Sequence, residues 1–197
     1  MDKSLVIGEL DNPKFEINEE IIVIEDYYKD FYINKNIKNN ILIAKPFLNS
    51  QKEKKLAFEE CEKIYQKILT DISKSLNKFH LVELTQRSWE IIFGNWLRFF
   101  VWLCFERFNH LSSIFNNNKI KKVYFSKNNE FIFATNKTSD ISYSSIDDQW
   151  NNNLYFEIFN FLEISKNKDI QVFIKKHSIK SKEKLSYTKK KINFKEI

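Results

Sequence analysis

The sequence predicts an α/β fold, with a mainly parallel sheet and helices packed against it. Three observations lead to this prediction. Short apolar runs typical of strands alternate along the chain with long helical patterns, as in folds built from strand–helix–strand units. Glycine and proline number only two each, which disfavours barrels and sandwiches rich in tight turns. The 43% hydrophobic and 16% aromatic contents of these 197 residues indicate a folded core rather than disorder.

The first half of the chain contains two predicted strands and two predicted helices. Residues 20–25 and 40–45 are short apolar runs with polar flanks, and both predict buried strands. Apolar side chains spaced by three and four predict an amphipathic helix over residues 51–78. A second helix is predicted over residues 85–115, and the three asparagines that follow are its stop signal.

The second half contains three predicted strands and one predicted helix. Residues 121–126 and 130–135 are predicted strands separated by an Asn-Asn turn, and residues 136–149 have the composition of a loop. A helix is predicted over residues 152–164 and a last strand over residues 170–174. We therefore expect an α/β domain over residues 1–174, followed by a lysine-rich segment over residues 175–197.

Residues 84–111 form the most apolar stretch, with three tryptophans, five phenylalanines and only five charges. Its longest uncharged runs have seven residues, whereas a transmembrane helix needs about 20. We therefore expect a buried helix at the centre of the domain.

Arg87, Glu90, Gly94 and Arg98 fall on one side of that helix at about 3.6 residues per turn. Either this polar stripe meets solvent and Gly94 lets a neighbour pack closely, or the three charged residues line a ligand cleft beside the glycine.

The formal charge of +6 is distributed unevenly. The segment 175–197 carries nine lysines and two glutamates, an excess of +7, so the preceding residues carry −1. Such a segment is either a solvated tail or a contact for phosphates or anionic lipid. Nucleic-acid binding is not expected, because arginine is scarce and no recognition motif is present.

Cysteine and histidine spacing predicts neither a metal site nor any other cofactor. The two cysteines form no Cys-x-x-Cys pair, and the three histidines lie far apart, so two packed, reduced thiols are expected. The first residues lack the long apolar core of a secretion signal. We expect a cytoplasmic protein, with the periphery of the inner membrane as the alternative location.

Several short segments occur in an order that carries a family resemblance. His80 follows the first long helix, and the segments RSW, GNWLR, ERF, DDQWN and LYFEI then occur at residues 87–89, 94–98, 106–108, 147–151 and 154–158. In this order the chain resembles the N-terminal region of transferases encoded in bacterial O-antigen and surface-polysaccharide gene clusters. The resemblance covers residues 20–164. This chain departs from the family at two places. The family usually has Gly-Pro-Trp-Leu where this chain has Gly-Asn-Trp-Leu, and it tends to have a Gly-x-Trp-Cys-like strand end where this chain has Glu-Asp-Tyr-Tyr at residues 25–28.

The resemblance implies the N-terminal domain of a two-domain, glycosyltransferase-like protein. The family's proteins continue beyond the matching region, so the donor site is expected outside this chain. The chain would then be an acceptor-side domain or a degenerate copy. The implied partners are a nucleotide sugar, a saccharide acceptor, and a further C-terminal domain or partner chain.

The candidate site residues each carry two interpretations. His80 is either a general base for an acceptor hydroxyl or a cap of the preceding helix. Trp89 and Trp150 are either sugar-stacking platforms or core residues. Asp148, with its neighbour Asp147, either binds a metal-bridged diphosphate or caps the following helix.

Two functions follow as hypotheses. The first is transfer of a sugar from a nucleotide donor to an acceptor hydroxyl in surface-polysaccharide synthesis, when the protein is complete. The alternative is a non-catalytic binding or scaffolding domain that docks on a partner protein or, through its lysine-rich end, on a membrane surface.

Overall fold

A computed structural model describes residues 3–10, 15–16, 19–128, 133, 137–162, 164 and 169–177, and its five described strands form one sheet. The strands are β1 (Lys3–Ile7), β2 (Glu20–Val23), β3 (Ile41–Ile43), β4 (Ile120–Asn128) and β5 (Gln171–His177). Their order is β3-β2-β1-β4-β5, and every neighbouring pair is parallel. The predicted α/β fold with a mainly parallel sheet is confirmed. The strand predicted over residues 130–135 lies outside the described residues, except for Phe133.

Helices and short helical turns connect the strands. They are α1 (Asp26–Asn34), α2 (Gln51–His80), α3 (Gln86–Trp89), a π-helical turn (Glu90–Gly94), α4 (Asn95–Asn117), a 3-10 turn (Thr138–Asp140), α5 (Ile141–Ser144) and α6 (Asp148–Phe161). A capping box fixes the start of α2, because the Ser50 hydroxyl accepts from the Glu53 N–H and the Glu53 carboxylate accepts from the Ser50 N–H. None of the helices in the described part of the chain is long and apolar enough to cross a bilayer.

Two of the predicted segments need correction. The helix predicted over residues 85–115 is not one regular helix, because the π-helical turn separates α3 from α4. Such a turn changes the angular step between side chains on either side of it. The segment predicted as a loop over residues 136–149 contains the 3-10 turn, α5 and the first residues of α6.

The central strand of the sheet is one that the sequence patterns do not predict. β1 pairs with β2 on one side and with β4 on the other, and Leu5, Val6 and Ile7 are fully buried. The apolar run of this strand covers only Leu5–Ile7, which is shorter than the runs of about four to eight residues that identify a buried strand in a sequence. Helix α1 is also outside the predicted elements, since only Tyr28 and Tyr32 of its residues are buried.

The sheet carries layers on both faces. Phe125 of β4 contacts Phe156 and Phe159 of α6, with ring centroids 5.2 Å apart in both pairs. The preceding residue, Tyr124, points to the other face, where its ring lies 5.3 Å from that of Phe15. Crossover connections between parallel strands are right-handed in nearly all proteins. The connections from β2 to β3 and from β3 to β4 run in opposite directions across the sheet, so right-handed crossovers place their helices on opposite faces.

The long helix α2 packs on α4 rather than on the sheet. Cys61, Tyr65 and Leu69 of α2 form a second apolar cluster with Leu97 and Val101 of α4. A Cβ atom added at Gly94 would lie 2.9 Å from the Tyr65 hydroxyl oxygen, so the glycine permits this close approach.

The aromatic segment is buried over only part of its length. Ile91 is 73% exposed and Ile92 is also exposed, whereas Leu103, Leu111 and Ile114 of α4 are buried. The expectation of a buried helix at the centre of the domain therefore holds for the later part of the segment and is wrong for its first part. Helix α3, the π-helical turn and the start of α4 pack against α2, and we call this unit the helical hairpin. It lies beside the sheet domain, whose centre is occupied by β1.

Replacing Gly8 with alanine should lower the free energy of unfolding by about 2 to 4 kcal/mol. Gly8 has a φ of +99°, and an added Cβ would lie 2.8 Å from Ser126 Cβ and 2.9 Å from Asn152 Cγ. The measurement is urea unfolding followed by circular dichroism. Adding Asn152→Ala should remove part of the steric conflict, so the double variant should be more stable than the sum of the single effects predicts. Strict additivity would contradict this account of the glycine.

Candidate functional site

The carboxyl ends of β1 and β4 meet at the topological switch point of the sheet. From β1 the chain continues to β2 and β3 on one side, and then returns to β4 and β5 on the other. Ligands of open parallel sheets bind outside the carboxyl ends of the strands at such a point. Gly8 follows β1 there, and Ser126 lies beside it on β4 because Ile7 pairs with Phe125. We call the group of residues around this point the switch-point site; it consists of Gly8, Glu25, Tyr28, Arg107, Asp148 and Asn152.

The turn after β1 is held from α1. The Tyr32 hydroxyl donates to the Gly8 carbonyl oxygen at 2.8 Å and accepts from the Leu10 N–H at 2.9 Å. Asn152 of α6 packs directly against Gly8. The missing side chain of Gly8 therefore makes room for a buried amide at the end of the central strand.

Tyr28 connects this amide to a carboxylate. Its hydroxyl oxygen lies 3.3 Å from Asp148 Oδ1 and 3.3 Å from Asn152 Oδ1. One hydroxyl proton serves only one of these acceptors at a time. Asp147, not Asp148, caps α6, because its carboxylate accepts from the Trp150 N–H at 2.8 Å. The Asp148 carboxylate does not cap the helix and is one of the two acceptors of the Tyr28 hydroxyl within the switch-point site.

A guanidinium joins α4 to α6 next to these residues. Arg107 donates to Asn151 Oδ1 through Nε at 3.3 Å and Nη2 at 3.1 Å, and its Nη1 contacts the Glu106 carboxylate. The Asn151 amide donates in turn to the Ser145 carbonyl oxygen at 2.7 Å. The Arg107 side chain is largely buried, so these contacts fix its position.

The site carries more negative than positive charge. Loss of water raises the pKa of Glu25, Arg107 opposes that rise, and the charges of Asp148 and Glu106 add to it. The pKa of Asp148 is raised mainly by loss of water, and the hydrogen bond from Tyr28 opposes the rise. Glu25 and Glu106 thus share the field of the Arg107 guanidinium, and the charge of Asp148 adds to the carboxylates around Glu25. Across the described ranges no group of three His, Cys, Asp or Glu side chains is placed to hold a metal ion.

The predicted residues Arg87, Glu90 and Arg98 lie together, but in the helical hairpin. Arg98 donates to both carboxylate oxygens of Glu62 on α2, at 3.0 and 3.2 Å, and its guanidinium lies 4.2 Å from the centre of the Tyr65 ring. Arg87 Nη1 lies 2.7 Å from Glu90 Oε2, and Arg98 Nη2 lies 3.6 Å from Glu90 Oε1. The polar stripe therefore forms an ion-pair network that joins α2 to α3, the π-helical turn and the start of α4. Arg98 and Glu62 also border a pocket of about 360 Å³.

The remaining predicted residues are divided between the two regions. His80 is exposed at the end of α2, with its ring 6.0 Å from that of Trp89. Trp89 is 7% exposed and donates its indole N–H to Asn77 Oδ1 at 2.7 Å. Trp150 is 5% exposed and lies on α6, two positions after Asp148, with its ring 6.3 Å from that of Phe100. Both indole rings are packed inside, so stacking on a sugar would require them to be uncovered.

Sequence patterns miss most of the switch-point site. Gly8, Glu25, Tyr28, Arg107 and Asn152 are absent from the predicted site residues. The available signal was a glycine directly after the apolar run Leu5–Ile7, which is typical of the turn after a strand in nucleotide-binding folds. That signal has meaning only if the run is recognised as a strand.

Replacing Asp148 with asparagine should raise the urea midpoint of unfolding at neutral pH. Because the folded-state pKa is raised, the charged carboxylate weakens the folded state at any pH above that pKa. The gain should shrink as the pH falls and vanish below the ordinary aspartate pKa of 3.8. The matched control is Glu53→Gln, which should lower the midpoint because the Asn49 and Ser50 amides lower the pKa of Glu53. A pH-independent gain for the Asp148 variant would contradict the charge argument.

Comparison with known proteins identifies a family. A family model described as LIC12162 family transferase matches residues 4–197. No curated protein and no solved structure matches the chain. The transferase class expected from the sequence resemblance is thereby shown. Because the matched region includes nearly the whole chain, this protein belongs to the LIC12162 family of transferases.

Proposed function

We propose that this protein takes part in transferring a sugar from a nucleotide donor to an acceptor hydroxyl, in the synthesis of a bacterial surface polysaccharide such as O-antigen. Its switch-point site would hold the saccharide acceptor. The transferase family supports the reaction class. The observation that carries the proposal is the convergence of Tyr28, Asp148 and Asn152 beside Gly8, at the end of the central strand.

The charge of the site favours a neutral, hydroxyl-rich ligand over a diphosphate. Carboxylates and amide oxygens accept hydrogen bonds from sugar hydroxyls, and the amide N–H groups of asparagine donate to them. The carboxylate excess around Arg107 would repel the phosphates of a nucleotide. We therefore propose that a further domain or a partner chain binds the nucleotide sugar, and that this chain binds the acceptor.

The proposed reaction needs a group that takes up one proton. The acceptor oxygen forms a bond to the anomeric carbon, the bond from that carbon to the nucleotide phosphate breaks, and the hydroxyl proton passes to a base. A carboxylate with a raised pKa holds a proton more readily than an ordinary one. Asp148 and Glu25 have this property, and His80 on the hairpin is the alternative base.

Binding is tested by titrating the isotope-labelled chain with oligosaccharides and, separately, with nucleotide sugars, followed by amide NMR shifts. We expect saccharides to shift the signals of residues around Gly8 and Asn152, and Asn152→Ala to weaken that response about tenfold, since a buried hydrogen bond is lost. The matched control is Arg98→Ala, which removes a hairpin ion pair and should leave saccharide binding unchanged. Shifts confined to the hairpin, or lost in Arg98→Ala, would contradict the proposed acceptor site.

Catalysis is tested in the intact transferase system. We expect Asp148→Asn to lower kcat by about 10²- to 10⁴-fold, the usual effect of losing a general base, and His80→Ala to leave kcat close to that of the wild type. The pH profile of kcat should lose its acidic limb in the Asp148 variant alone. The reverse pattern would assign the base to His80.

A non-catalytic docking role is the second candidate function. It is supported by an apolar groove of about 580 Å³ between α2, α4 and α6, lined mainly by Ile64, Ile68, Ile72, Trp96, Phe100 and Phe108. Failure of both saccharides and nucleotide sugars to shift any amide signal would favour this role over sugar transfer.

A further inference from the structure

The turn between α2 and α3 exposes a concentration of large apolar side chains. Phe79, Leu81, Val82 and Leu84 lie within six consecutive residues, and we call them the apolar tip. Leu81 is 91% exposed and Phe79 is 79% exposed, and the other two are exposed as well. Exposed apolar residues are normally scattered singly, and a cluster of them marks an interaction site.

Hydrogen bonds hold these side chains in their exposed positions. The Asn77 amide donates to the Leu84 carbonyl oxygen at 2.8 Å, and Asn77 Oδ1 accepts from the Leu84 N–H at 3.2 Å and from the Trp89 indole. Leu81 adopts the left-handed conformation, with φ of 54° and ψ of 44°, at the helix end where glycine is usual. The exposure of the tip is therefore a property of a fixed turn.

Basic side chains lie behind the apolar tip. Lys74 and Lys78 occupy the last two turns of α2, and Arg87 lies on α3. The acidic residues of this region are Glu83 in the turn and Glu90, which pairs with Arg87. Residues 74–90 thus carry a net charge of +1. Apolar side chains in front of lysines complement a lipid surface with anionic headgroups.

We propose that the apolar tip inserts into the headgroup boundary of a membrane that contains anionic lipid, with Lys74 and Lys78 contacting lipid phosphates. A protein partner fits the tip less well, because four side chains on one turn provide only part of the about 800 Å² that each partner commonly buries. A lipid surface requires no matching shape, and its affinity grows with each apolar side chain buried.

The proposal is tested by co-sedimentation of the full chain with vesicles of phosphatidylcholine alone and of phosphatidylcholine mixed with phosphatidylglycerol. We expect binding to the mixed vesicles, weakened by salt. Leu81→Gly should reduce the partition coefficient about tenfold, as expected for removing one leucine from an apolar contact. This variant retains the turn, because glycine adopts the left-handed conformation without strain. Lys78→Gln should reduce binding about fivefold, and only to the anionic vesicles.

The matched control is Ile146→Gly, which removes an apolar side chain that is 78% exposed outside the tip. It should bind vesicles as the wild type does. The proposal is overturned if the wild type fails to sediment with anionic vesicles, or if Leu81→Gly binds as tightly as the wild type. It is also overturned if sedimentation velocity shows a dimer that Leu81→Gly dissociates, since the tip would then be a contact between copies of the chain.

Discussion

The burial of β1 between β2 and β4 is the constraint on which the rest of the structure depends. Leu5, Val6 and Ile7 lose all contact with water there. The chain passes from β1 to β2 and β3 on one side of it, and then returns to β4 and β5 on the other side. This strand sets the strand order, and the strand order places the switch point at Gly8. The helices α1 and α6 then bring Tyr28, Tyr32 and Asn152 to the same place.

The polar network of the helical hairpin and that of the switch-point site differ in their charge balance. In the helical hairpin, Arg98 contacts Glu62 and Arg87 contacts Glu90, so each arginine has a carboxylate within hydrogen-bond distance. At the switch-point site the carboxylates outnumber the guanidinium groups, and the pKa values of Glu25 and Asp148 are raised. Matched charges stabilise a fold, whereas unmatched carboxylates reduce its stability and are typical of sites that bind or react. This difference favours the sheet edge over the hairpin as the site of chemistry.

The aromatic residues divide their roles between the two regions. In the sheet domain, Phe125, Phe156 and Phe159 join β4 to α6. In the hairpin, Tyr65 lies under Arg98 and against Gly94, so one ring supports both the ion pair and the close helix contact. The hairpin consequently keeps a defined geometry although it packs beside the sheet and not on it, and its apolar tip is held outward by that geometry.

Local patterns in the sequence determined the α/β class, the amphipathic helix α2 with its start at Gln51, and the common face of Arg87, Glu90 and Arg98. Each of these depends on spacings of a few residues, which the periodicity of a helix converts directly into geometry. Patterns did not reveal β1, α1 or the π-helical turn, because those elements are short or lack a regular apolar period.

The switch-point site was decided only by the tertiary structure. Tyr28 and Asn152 are 124 positions apart, and Gly8 meets Asn152 only because α6 packs beside the end of β1. No local spacing encodes such a contact; it arises when two strands and two helices from distant parts of the chain bury their apolar faces together. The sequence alone therefore identified the transferase resemblance and the fold class, and the packing of β1 decided where the polar side chains converge.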